Sequence, residues 1–227
     1  MFHNKRTVLK SINRLDPLYD NTFGGPSSSF FDFGPVWDEL KFNILPYILS
    51  HTADGEEFHA WVIACSTGEE AYSLAMVFKE VIETIRPHSG ISLKIVATDI
   101  NAKRIEFAKR GIYLNQCKNG TYKISHERLN RFFSKNGYFG QRYQVNDELK
   151  SMINFEVHNV LTDPPFAGNV FISCANFVHY ISFEDQKKLV SLIFENLISR
   201  GVWWHLHKVF FKAAGFNEKN FKGWSTI

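Results

Sequence analysis

The apolar positions of this chain change period several times, and each change marks a new element. From Phe58 to Ala64 the residues are almost continuously apolar, as in a strand buried on both faces. Ala71, Leu74, Ala75, Phe78, Val81, Ile82 and Ile85 then recur at helical spacing, with Glu69, Ser73, Lys79, Glu80 and Glu83 mostly on other faces. A second strand runs from Lys94 to Asp99 and is followed by a helical pattern from Ala102 to Lys109. Ile153 to Val157 and Val170 to Cys174 read as further strands, and Phe183 to Ser199 as a helix closed by Gly201, with the final strands beginning at Val202 to Leu206. Val36 to Ser50 reads as a helix broken near Pro46. Strands alternating with helices predict an α/β protein with a doubly wound, Rossmann-like sheet.

One stretch interrupts the alternation. Between Gly111 and Leu149 lie Asn119-Gly120 and Asn136-Gly137 turns, a helical piece from Glu127 to Phe133 and a strand candidate from Arg142 to Val145. These predict a small β insertion at about residues 111–149.

The candidate chemistry sits where the first strand meets its helix, in Cys65-Ser66-Thr67-Gly68-Glu69-Glu70-Ala71-Tyr72-Ser73. In open α/β sheets ligands bind at such ledges, outside the carboxyl ends of the strands. The loop has neither G-x-G-x-x-G nor Gly-Lys-Ser/Thr, so a phosphate cradle is disfavoured. Glu69 and Glu70 would repel a phosphate and suit a ligand carrying ammonium or sulfonium charge, both of which S-adenosylmethionine has. The same acids fit a purely structural role, since Thr67-x-x-Glu70 and Ser66-x-x-Glu69 each match a capping box. Asp99, at the end of the second strand, is placed to accept hydrogen bonds from ribose hydroxyls, or else to cap the next helix.

Three segments in order, Cys65 to Ser73, Ala97 to Tyr113, and Cys174-Ala175-Asn176-Phe177-Val178-His179-Tyr180 followed by Gln186, resemble the CheR-type chemotaxis receptor methyltransferases. The resemblance covers roughly residues 28–207 and implies a class I S-adenosylmethionine-dependent methyltransferase fold with a small β insertion. It further implies methyl transfer to glutamate side chains of chemoreceptors, with S-adenosylhomocysteine as product. Carried over residue by residue, Glu70 would hold the methionine end, Asp99 the ribose, Asn159 and Val160 the adenine side, and Asn176 the floor of the site. Tyr180 would lie near the transferred methyl, and Ser28 falls where the family has a cofactor-binding Thr. Read on residue type alone, Asn159 and Asn176 also suit turns or strand ends, and Tyr180 a core aromatic. In the family the insertion can dock a receptor tail by strand addition; an insertion that only covers the main sheet is the alternative.

Several positions depart from the family pattern. Phe30-Phe31-Asp32-Phe33 has an acid where the family has an arginine after its paired phenylalanines, and Ala175 replaces an arginine before Asn176. Asp32 either opposes an incoming carboxylate or faces solvent. Trp204-His205-Leu206-His207-Lys208 replaces a segment that usually reads Gly-His-Ser-Glu near its end, and two histidines on one strand face do not make a metal site. Only about 25 residues precede Ser27, with Lys5, Arg6, Lys10 and Arg14 placed for one helix, where the family has a helical bundle. The expected division is therefore residues 1–26 as a remnant or linker and 27–227 as the methyltransferase domain.

Composition narrows the setting. The 227 residues suffice for one full core, and a formal charge of +3 without a basic cluster argues against a nucleic-acid partner. Three scattered cysteines, without a signal peptide or membrane-length apolar run, fit a reducing cytoplasm. The expected partner is a chemoreceptor cytoplasmic domain or another protein substrate, with the membrane approached only through that receptor. Two other readings stay open: a module that binds S-adenosylmethionine or S-adenosylhomocysteine without catalysis, acting as sensor or adaptor, and a methyltransferase with a different acceptor.

Overall fold

The computed structural model describes residues 29–32, 34–114, 124–136, 142–174, 177–205 and 208–211. The basic positions Lys5 to Arg14, the Asn119-Gly120 turn and His207 lie outside them. Among the described residues the first helical segment comprises α1 (Pro35–Glu39), a π-helical turn (Leu40–Ile44) and α2 (Leu45–Ser50). The α-helical pattern is interrupted just before Pro46, by the π-helical turn, and resumes in α2 with Pro46 in its first turn, where a missing N–H is tolerated. The main sheet and its helices follow: β1 (Glu57–Ile63), α3 (Glu69–Ile85), β2 (Ser92–Asp99) and α4 (Ala102–Arg110). The insertion contributes β3 (Ile112–Leu114), α5 (His126–Phe132), β4 (Phe133–Asn136) and β5 (Arg142–Val145). Then come α6 (Asp147–Ser151), β6 (Ile153–Val157), β7 (Asn169–Ser173), a 3₁₀ turn (Phe177–Tyr180), α7 (Phe183–Asn196), β8 (Leu197–His205) and β9 (Lys208–Phe211).

The main sheet has the order β6-β2-β1-β7-β8-β9, with β9 antiparallel to β8 and the other neighbours parallel. The chain leaves β1 toward β2 and β6 and later crosses to β7 on the other side of β1. The switch point, and the crevice it creates, therefore lies at the carboxyl ends of β1 and β7. Side chains of β1 alternate between two cores. Phe58, Ala60 and Val62 pack with α1–α4, whereas Trp61 and Ile63 pack with Leu189 and Ile193 of α7. The Trp61 indole N–H is satisfied inside by Thr98 Oγ1 at 3.0 Å, which also ties β1 to β2. The insertion forms its own antiparallel sheet, β3-β5-β4.

α7 ends earlier than its sequence pattern predicts. Leu197 turns extended (φ −80°, ψ 134°), is 3% exposed in the second core, and pairs with Asn169 of β7, so β8 starts five residues before Val202. Gly201 is thus no helix stop. It lies inside β8, where the pairing with β7 shifts register and a Cβ would stand 2.7 Å from Leu197 Cδ2.

At the end of β1 the chain turns through Ala64 (φ 54°) and Ser66 (φ 54°) to Gly68, which has φ 94° and a left-handed conformation. A Cβ on Gly68 would meet Ala108 Cβ at 2.8 Å, Tyr113 Oη at 3.1 Å and Phe155 Cε1 at 3.2 Å. Both the backbone angle and the space demand glycine here. Gly68→Ala should therefore cost about 3 kcal/mol of stability, read as a fall in the urea midpoint at unchanged slope; a change below 0.5 kcal/mol would contradict this packing.

Candidate functional site

The loop after β1 is built by hydrogen bonds from three directions. Cys65 N–H donates to the Thr98 carbonyl at 2.8 Å, Ser66 N–H to Asp99 Oδ2 at 2.9 Å, and the Tyr113 hydroxyl of β3 to the Thr67 carbonyl at 2.6 Å. The capping boxes expected at Thr67 and Ser66 do not form. Gly68 is the N-cap residue, with no side-chain cap, and the Thr67 hydroxyl instead donates to Glu69 Oε2 at 2.6 Å. Glu69 is buried at 3% exposure, beneath the turn.

Glu70 is thereby released from capping. Its carboxylate reaches across the switch point and accepts the Ser173 hydroxyl at the end of β7. Desolvation pushes the Glu70 carboxyl up to about 7, the Ser173 bond pulls the other way, and the nearby charge of Asp32 adds to the rise. Asp32 consequently bears on the site electrostatically. Its carboxylate accepts from Ser29 N–H at 3.1 Å and from the Ser29 hydroxyl, and its carbonyl accepts the Trp37 indole N–H at 2.7 Å.

Asp99 closes the other side. Asn101 N–H donates to Oδ1 at 2.8 Å while Ser66 holds Oδ2, so the carboxylate joins the ends of β1 and β2 and each oxygen keeps a further lone pair. The helix cap is Asn101, which accepts from Lys103 and Arg104 N–H; Asp99 is not the cap. Beside it, Asn159 Oδ1 accepts Leu161 N–H at 3.1 Å and Asn159 N–H donates to Asp163 Oδ2 at 2.8 Å, a closed turn after β6. Val160 is 5% exposed and packs in the second core. Tyr180 is 63% exposed on the 3₁₀ turn after β7, so it is not the core aromatic its residue type also allowed. Ser28, Ala175 and Asn176 lie outside the described residues.

Two residues not singled out from the sequence belong to this face. Ile100 directly follows Asp99 and is 68% exposed, and Val157, the register partner of Asp99, is 55% exposed. Both are apolar side chains left uncovered at the carboxyl ends of β2 and β6. The signal for Ile100 was an apolar residue immediately beyond a strand-end acid. The neighbouring His158 donates its Nε2–H to the Pro164 carbonyl (3.1 Å), and its buried Nδ1 has no partner among the described residues.

A cleft with a glycine turn, a desolvated carboxylate at the switch point, a second carboxylate on β2 and two uncovered apolar side chains suits a ligand with a cationic amino-acid end, a ribose and a base. The model for the SAM-binding domain of CheR methyltransferases matches residues 27–204. The chain belongs to the CheR methyltransferase family. A chemotaxis protein methyltransferase of Listeria monocytogenes is 31% identical over 175 residues, 77% of this chain and 62% of the relative. Chemotaxis protein methyltransferase 1 of Pseudomonas aeruginosa is 29% identical, over 68% of this chain and 55% of its own. A 104.1 kDa protein of Rhodobacter capsulatus is 34% identical over 81% of this chain but only 18% of its own length. This CheR domain thus spans less than two thirds of each of these relatives. Its cofactor is S-adenosylmethionine, and the donor set and the Gly68 cradle fit that group.

The Glu70 carboxyl makes stability pH-dependent. Its folded value of about 7 lies above the ordinary 4.5, so between these values the folded protein holds a proton that the unfolded chain has released. Stability should fall as pH rises from about 4.5 to about 7, and Glu70→Gln should abolish that slope and stabilise the protein at pH 8 by about 2 kcal/mol. Urea unfolding across this range checks it, and an unchanged slope in the variant would contradict the assignment.

Proposed function

We propose that this domain transfers a methyl group from S-adenosylmethionine to a glutamate carboxylate of a chemoreceptor-type protein, in the cytoplasm. The carrying observation is Glu70, turned from its own helix to Ser173 across the switch point. S-adenosylmethionine supplies an electrophilic methyl on a sulfonium. An acceptor glutamate would already be ionised, so the protein would have no proton to remove. Catalysis is then alignment, with the protein fixing the line of oxygen, carbon and sulfur.

In this reading Glu70 holds the ammonium end, Asp99 the ribose hydroxyls, and Asn159 with Val160 the adenine side. Ser28, Ala175 and Asn176 complete the cofactor site by resemblance. Tyr180, exposed on the 3₁₀ turn after β7, would lie near the transferred methyl. The insertion, with its separate sheet, is the proposed receptor-facing surface.

Asp32 favours a second reading. Its charge acts on Glu70, and at about 4 Å and an effective dielectric near 20 an acid would oppose an incoming carboxylate by up to ~4 kcal/mol. A neutral or amine acceptor, or cofactor binding without transfer, tolerates it better.

Titration calorimetry with S-adenosylhomocysteine should give micromolar binding to the wild type and at least a tenfold loss in Asp99→Ala; equal affinities would remove Asp99 from the site. Labelled methyl transfer to a receptor cytoplasmic fragment separates the two readings. The carboxylate reading expects base-labile methyl esters from the wild type. Label appearing only in Asp32→Arg would show that the native acceptor is not a carboxylate.

A further inference from the structure

The insertion touches the N-terminal segment through Tyr113 and Phe133, whose rings meet Phe30, and through the charged side chain of Arg128. Arg128, on α5, grips the Glu80 carboxylate with both arms, Nε to Oε1 at 2.6 Å and Nη2 to Oε2 at 2.8 Å. Lys41, from the π-helical turn, adds Nζ to Oε2 at 2.8 Å. One acid on α3 therefore joins the insertion to the opening helical segment, with the Glu80 side chain only 13% exposed. These bonds hold the Glu80 carboxyl below its ordinary range in spite of desolvation, which alone would raise it.

The same guanidinium has a second contact. Its carbon lies 4.0 Å from the centroid of the Phe31 ring, which Trp37 also meets edge-on at 5.5 Å. Phe31 is 4% exposed and has φ 55°, a conformation that a bulky residue keeps only where its surroundings enforce it. Its N–H donates to Ser73 Oγ at 3.1 Å, and Ser73 Oγ in turn donates to the Glu69 carbonyl at 2.8 Å. Phe31 is thus pinned to the first turn of α3, one residue from Asp32 and beside the turn that carries Glu70. Phe30 continues the contact, with its ring 4.8 Å from Tyr113, the residue that holds Thr67.

We infer that Arg128 is a positioning residue, whose planar head locks the Ser29–Asp32 strap over the cofactor crevice from the insertion side. The effect on cofactor rests on the cofactor reading above; the effect on the strap does not. Only arginine serves both contacts, because a guanidinium can pair a carboxylate through its edge while presenting its face to a ring. A lysine keeps the charge on Glu80 and loses the face. Arg131 provides an internal control, since it lies on the same helix, pairs with Glu83 and stacks on Phe132.

The test is hydrogen exchange on the full chain, comparing wild type, Arg128→Lys, Arg128→Ala and Arg131→Ala. The amides of residues 29–37 should exchange at least tenfold faster in both Arg128 variants, with residues 57–63 of β1 unchanged and Arg131→Ala like the wild type. Where Arg128→Ala does not fold, Arg128→Lys decides alone. Unchanged exchange over residues 29–37 in a folded Arg128 variant, or equal acceleration in Arg131→Ala, overturns the assignment. Calorimetry with S-adenosylhomocysteine supplies the second readout, with affinity falling about tenfold in both Arg128 variants and not in Arg131→Ala. If the wild type itself fails to bind, the cofactor reading falls while the exchange result still decides the role of Arg128. Faster exchange with undiminished binding would overturn the link between strap and site.

Discussion

The structure depends on one close approach, the left-handed turn at Gly68. There the backbone lies against Ala108 of α4, Tyr113 of β3 and Phe155 of β6, with no room for a Cβ. Three elements that follow β1 in sequence are thereby brought against its carboxyl end. The same turn aims the first residues of α3 into the crevice, and removes the capping box in which Glu70 could otherwise have partnered Thr67. What looks like a helix start in the sequence becomes, once the turn is fixed, a carboxylate directed at the neighbouring strand.

Electrostatics divides α3 into two regions. At its start Glu69 accepts the Thr67 hydroxyl and Glu70 the Ser173 hydroxyl, and burial raises Glu70 so that its proton is exchanged near neutral pH. About three turns further along, Glu80 is fully matched by Arg128 and Lys41. An acid paired with cations stabilises the assembly of elements, whereas an acid left with a hydroxyl retains affinity for a cationic ligand. The fold uses one helix for both purposes, and Phe31 with Ser73 connects the two regions.

Much of this was legible in the sequence because it rests on periodicity. The strands Ile153–Val157 and Arg142–Val145 and the helix Glu69–Ile85 follow directly from spacing. The errors fall where tertiary contacts override a local signal. Gly201 resembles a helix stop, yet burial of Leu197 draws the chain into β8 four residues earlier. Near Pro46 the α-helix is interrupted, as the residue type suggests, but by a π-helical turn that no local pattern announces. The capping boxes fail because Gly68 takes the cap position. Of the candidate site, Glu70 in the first turn of α3 and Asp99 at the end of β2 were singled out from the sequence, while Ile100 and Val157 were not, since exposure of an apolar side chain depends on what the fold leaves uncovered. The link from Arg128 to Phe31 spans elements far apart in the chain, and no local pattern encodes it.

The most direct test of the central claim is a crystal structure of the protein with S-adenosylhomocysteine. The account predicts the ligand at the carboxyl ends of β1 and β2, its amino group at Glu70, its ribose at Asp99 and its base against Ile100 and Val157. Ligand bound elsewhere, or in this crevice with neither carboxylate in contact, would contradict it.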